Sequence, residues 1–120
     1  MNKNREKNLV IKYKHISSYP NPIKLNKGQS VIVGEKYTGN EEWNNWVYCL
    51  TADKSSEGWV PEQIIEGTRD NGTILEDYSA KELNMKQGDR VIKLKELNGW
   101  YWVRDLTDYE EGWIPKRITE

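Results

Sequence analysis

The phrase Glu-Gly-Trp-Val-Pro at 57–61 returns as Glu-Gly-Trp-Ile-Pro at 111–115, and this recurrence limits what the chain can fold into more than any single residue does. At that spacing (111 − 57 = 54) "WVYC" at 46–49 falls on "WYWV" at 100–103. Upstream, "KGQSVIV" at 27–33 matches "QGDRVIK" at 87–93 with a spacing of 60 (87 − 27), so the first copy carries six extra residues (60 − 54). They fall in 34–45, where "GEKYTGNEEWNN" stands against the shorter "LKELNG" of 94–99, and a long insertion loop is expected there. A chain that repeats itself in this way builds two like units in series. The segment "EGTRDNGT" at 66–73 is nearly free of apolar residues and reads as the connector. The repeat thus divides the chain into a flexible basic arm at 1–8, a first domain at 9–66 and a second at 67–120.

Within each copy, short apolar groups rich in β-branched and aromatic residues alternate with polar ones between Gly, Asn and Asp. This is the pattern of half-buried strands. The second copy predicts strands near Thr73–Asp77, Arg90–Glu96, Trp100–Leu106 and Gly112–Pro115, with Asn98-Gly99 as a tight hairpin turn. The expected fold class is all-β, as two small barrels in tandem. A domain of roughly 60 residues barely buries its own core, and six Trp with seven Tyr supply large buried areas in place of the absent Phe.

Charge and chemistry exclude several functions. The 18 basic and 19 acidic side chains nearly cancel, so bulk attraction to nucleic acid or to an anionic membrane is not expected. The one local excess is Lys3, Arg5, Lys7, Lys12 and Lys14 against Glu6. No apolar run follows these charges, because Lys12 breaks Leu9, Val10 and Ile11, so a secretion signal is not expected. With Cys49 as the lone cysteine, a cytoplasmic protein is expected. His15 is the only histidine and glycines sit at turns, not in a phosphate loop, so no enzyme, metal, cofactor or small-molecule substrate is expected.

The run "ILEDYSAKELNMKQGDRVIKLKELNGWYWVRDLTDYEEGWIPKRI" (74–118) resembles a Src-homology-3 (SH3) domain of a variant, bacterial-type kind. The resemblance rests on a start similar to ALYDY, then EL, GD, a strand opening with Trp and an aromatic, and Gly-aromatic-Ile-Pro. "KLNKGQSVIV", "WVY" and "EGWVPEQI" extend it to the first copy. The resemblance implies two five-stranded barrels that bind extended polyproline-II segments in an aromatic groove. It places Tyr78, Trp100, Trp113 and Pro115 in the groove of the second copy, with Asp77 and Glu82 as acids beside it. In the first copy it places Tyr19, Trp46, Trp59 and Pro61. Glu76, Ile64 and Ile118 stand where the family pattern has aromatics, and Glu35, Glu41, Glu42 and Trp43 of the insertion offer a different specificity pocket.

Three readings of function follow. The first is a non-catalytic module that docks an extended peptide or partner protein, with the second site raised in effective concentration by the short connector. The second is a structural or assembly protein whose grooves are closed by packing between domains or by self-association. The third, disfavoured by Glu57, Glu110 and Glu111 around the Trp-rich ends, is weak binding of single-stranded nucleic acid.

Overall fold

The computed structural model describes residues 7–17, 21–38, 45–68 and 70–120. Eleven strands form in chain order: β1 (Lys7–Val10), β2 (Lys24–Leu25), β3 (Ser30–Lys36), β4 (Trp46–Thr51), β5 (Glu57–Pro61), β6 (Ile65–Thr68), β7 (Asn71–Ile74), β8 (Tyr78–Ser79), β9 (Arg90–Leu97), β10 (Trp100–Asp105) and β11 (Glu111–Pro115). Single 3-10 turns follow β5 at Glu62–Ile64 and β11 at Lys116–Thr119. The all-β class is as the sequence predicts. The Asn98-Gly99 turn forms with both residues at positive φ (50° and 86°), and it pairs Leu97 with Trp100 directly.

The backbone separates into two compact units, Tyr19–Lys81 and the combination of Met1–Ser18 with Glu82–Glu120. The division at 66/67 follows the repeat, whereas these units follow strand pairing, and the two differ. The cause is the connection between β6 and β7. These strands pair from Ile65↔Ile74 to Thr68↔Asn71, so two residues turn the chain, with Asp70 at φ 70°. Such a hairpin keeps β7 with the strand that precedes it. β7 therefore lies beside β3 and completes a five-stranded sheet of order β5-β4-β3-β7-β6, supplemented by the β2-β8 pair. Ile23, Leu25, Val31, Val47, Cys49, Val60, Ile64 and Ile74 are buried in this unit.

In the other unit β1 takes the corresponding place beside β9, giving the order β1-β9-β10-β11. Lys7 and Asn8, expected in a flexible arm, belong to this strand. Ile11, Leu83, Met85, Val91, Tyr101, Val103, Ile114 and Ile118 form its core, with Leu9 packed against them. This sheet has four strands among the described residues, where the family resemblance implies five.

Backbone hydrogen bonds fix the equivalence between the units. The Gly28 N–H donates to Ile74 O (2.7 Å) and the Leu75 N–H to Ile64 O (2.7 Å). In the other unit the Gly88 N–H donates to Ile11 O (2.8 Å) and the Lys12 N–H to Ile118 O (2.7 Å). Ile11 thus holds the place of Ile74, which puts Tyr13 at the position of Glu76 and His15 at that of Tyr78.

Candidate functional site

In an antiparallel pair, residues directly opposite share a face. Trp46 lies opposite Pro61 and Tyr48 opposite Trp59, so these four side chains stand on the face of β4 and β5 away from the core residues Val47, Cys49 and Val60. The indole of Trp59 is met at right angles by Tyr48 (centroids 5.0 Å, 76°) and by Tyr37 from the start of the insertion (5.4 Å, 86°). Such edge-to-face contacts suit the ring quadrupoles. The Tyr78 hydroxyl donates to Trp59 O at 2.9 Å, and the Tyr48 hydroxyl donates to Glu57 Oε1 at 2.7 Å. Tyr78, predicted for the groove of the second copy, thus joins Trp46, Trp59 and Pro61 of the first. Trp46 is buried at 7% relative exposure and Tyr78 at 9%, while Trp59 is half-exposed.

Asp77 has another task in this structure. Its Oδ1 accepts the Lys27 N–H at 2.8 Å and so caps the turn that leads into β3. Within that turn Gln29 Oε1 accepts the Asn26 N–H at 2.9 Å, and in the other unit Asp89, at the place of Gln29, accepts the Lys86 N–H at 2.9 Å. Tyr19, Glu41, Glu42 and Trp43 lie outside the described residues, while Glu35 is exposed.

On β10 and β11, Trp100 lies opposite Pro115 and Trp102 opposite Trp113, again on the face away from Tyr101, Val103 and Ile114. Trp102 and Trp113 meet edge to face (5.3 Å, 76°), with the Lys95 ammonium 5.9 Å from the Trp113 ring. Trp113 is buried, and Trp100 is half-exposed. The imidazole of His15 stands at 78° to the Trp100 ring with centroids 6.0 Å apart, and its Nε2 lies 2.9 Å from Glu82 Oε1. Glu82 is thus engaged by the imidazole that stands against Trp100.

At the far end of the same face, Glu111 accepts from Trp102 Nε1 (2.9 Å) and from Arg104 Nε and Nη2 (3.0 and 2.9 Å). These bonds, led by that from Trp102, hold its carboxyl below the usual carboxylate range. No group of three or more His, Cys, Asp or Glu side chains is placed to hold a metal ion among the described residues.

The sequence reading missed Tyr13 and His15. The signal was legible: "IKYKH" (11–15) has the apolar-x-aromatic-x-aromatic spacing that "ILEDY" (74–78) keeps only at its ends. The bond pattern of Ile11 brings these two residues, not Glu76 and Tyr78, to the unit that holds Trp100. Tyr13 is exposed at 62%.

Comparison with known proteins shows two domains in tandem, with matches that follow the repeat and not the strand-paired units. The family model described as "Variant SH3 domain" matches residues 12–67, and that described as "SH3 domain" matches 76–116. Among curated proteins, the guanine nucleotide exchange factor DBS of Rattus norvegicus is 31% identical over 107 residues, covering 82% of this chain and 9% of its own length. The Mus musculus protein of the same name is 30% identical over 104 residues with the same coverage. The chain thus spans about a tenth of the length of these relatives. No solved structure matches it significantly.

Proposed function

Because the chain belongs to the SH3 family, as two such domains in tandem, we propose that it is a non-catalytic module that docks an extended, proline-containing segment of a partner protein. The observation that carries this reading is Trp100, half-exposed on its face opposite Pro115, with the His15 ring standing against it. A flat, half-exposed indole suits a proline ring packed beside a carbonyl. Tyr13, Trp100 and the His15–Glu82 pair form the primary groove in this proposal, over the fully buried Pro115. Trp59, Tyr37 and Tyr78 form a secondary one. The exchange activity named for the DBS proteins is not carried over, since this chain matches 9% of their length.

The test is an amide and indole NMR titration of the labelled chain with proline-rich peptides, repeated on Trp100→Ala. Shifts at the Trp100 indole, together with affinity lowered about tenfold or more in the variant, are expected for a central aromatic anchor. Unchanged affinity in a folded Trp100→Ala protein refutes the reading.

A second reading, an assembly protein with closed grooves, is favoured by the burial of Trp46, Tyr78 and Trp113 on the same faces. Indoles that resist acrylamide, Trp100 included, would decide for it. A cytoplasmic location is proposed with either reading.

A further inference from the structure

The two units differ at one sheet edge. In Tyr19–Lys81 the outer side of β7 is covered by β6 over four residue pairs. In the other unit β1 holds the place of β7, and no strand among the described residues pairs with its outer side. Ile11 bonds toward the β9 side through the Asp89 carbonyl (2.8 Å) and the Gly88 N–H, whereas the Lys12 N–H turns the other way, to Ile118 O. Alternation along the strand then directs the N–H and C=O groups of Asn8 and Val10 outward.

The core beneath is already filled. A Cβ on Gly72 would lie 2.9 Å from Ile65 Cγ2, so in the first unit an Ile of β6 occupies the space over that glycine. Register puts Leu9 at the same place, opposite Val91 as Gly72 is opposite Val31, and Leu9 supplies the apolar cover from its own strand. Among the described residues, what stays open is a row of backbone donors and acceptors. β1 has no proline and no bulge to block this edge, and the devices it does carry are its four-residue length and Lys7, the latter selective by charge.

We propose that β1 is a strand-addition site for an extended acidic segment of a partner protein, laid antiparallel along Asn8 and Val10 as β6 lies along β7. Charge selects the occupant. Residues 1–14 hold five basic side chains against Glu6 alone, and Lys7, Lys12 and Lys14 are exposed. Two copies of this segment, each with five basic side chains against one acid, repel one another by net charge, while a strand bearing Glu is attracted. The register accommodates an acid: opposite Thr73, the counterpart of Val10, β6 carries Glu66. Lysines that repel basic or self-identical strands thus leave the edge selective.

The test uses the full labelled chain and a capped ten-residue peptide alternating Val and Glu, with its Val–Lys analogue as control. At about 1 mM Val–Glu peptide, a concentration suited to a weak site, the Asn8 and Val10 amides should shift. Their hydrogen exchange should slow by about tenfold. The Val–Lys peptide and a backbone N-methylated Val–Glu peptide should do neither. Trp100→Ala should leave this response intact, which separates it from groove binding. No change at Asn8 and Val10, or an equal response to both charges, overturns the proposal. Protection that appears without peptide and grows with protein concentration overturns it in favour of a second copy.

Discussion

Replacing Ile74 by alanine tests which barrel its strand completes. The repeat assigns Ile74 to the second copy, whereas strand pairing seats it between β3 and β6, at 1% exposure. Truncating a buried Ile to Ala costs roughly 2–5 kcal/mol through lost transfer energy and the cavity left behind. The unit it serves spans 63 residues (81 − 19 + 1), which at about 0.05–0.15 kcal/mol per residue gives roughly 3–9 kcal/mol in all. A loss near 3 kcal/mol would therefore raise the open population of that unit by about two orders of magnitude. Native-state hydrogen exchange reads this residue by residue. The amides of Val31 and Val60 should exchange about a hundredfold faster in the variant, and those of Val91 and Val103 should keep their rates. The mirror substitution, Ile11→Ala, should do the reverse, because Ile11 belongs to the core with Val91 and Val103. Should Ile74→Ala instead accelerate Val91 and Val103 and spare Val31 and Val60, the pairing deduced above is refuted.

Gly72→Ala should destabilise the same unit by about 1–3 kcal/mol in urea unfolding, because the new methyl would meet Val33 Cγ2 at 2.6 Å and Ile65 Cγ2 at 2.9 Å, with no room on the core side. Glu111→Gln should lower the melting temperature near neutral pH and do so less as pH falls. The folded-state pKa of Glu111 is depressed, so its contribution is present above the ordinary carboxylate pKa of about 4.3 and is lost as pH drops through the folded value. A gap between variant and parent that stays constant down to about pH 2 would contradict this. Burial pushes the Cys49 thiol up to about 11, against a weaker opposing hydrogen bond with the Gly34 backbone, so a disulfide reagent near pH 8 should modify it only on unfolding. Rapid reaction of the native chain would show that the β4 core opens locally.

Strand positions were legible because period-two patterning marks which residues face a core, and β9, β10 and β11 fall within a residue or two of their predicted bounds. Pairing partners were not legible. Patterning fixes the face a strand presents but not the neighbour it joins, and two copies of one sequence offer near-equal neighbours. Ile11 and Ile74 make the same backbone bonds to equivalent turns, so local sequence alone leaves their exchange undecided. Site residues followed the same division. Trp46, Trp59, Pro61, Trp100, Trp113 and Pro115 stand where hairpin register puts them, because each hairpin lies within one copy. Tyr78 and Asp77 went to the other unit, because they ride on β7 and the segment after it.

The exchange follows from connection lengths. In an antiparallel barrel of this order the last strand neighbours the first, as β6 neighbours β7, so a two-residue turn is enough to join the end of one copy to the start of the next. Once that hairpin forms, β7 has both edges occupied, by β6 and β3, and β9 is left to take β1. Tyr19–Lys81 is then one continuous barrel whose strands run in permuted order, entered and left through the loop that follows His15 in the other unit. The Ala80 N–H donates to Ile23 O at 2.9 Å, which brings the two sides of that insertion together. The consequence reaches function: each aromatic face carries residues from both copies, Tyr78 with Trp59 and His15 with Trp100. If the proposed grooves bind peptide, a substitution such as His15→Ala in one copy should therefore weaken binding at the groove that bears the other copy's tryptophan, read as smaller Trp100 indole shifts in the peptide titration.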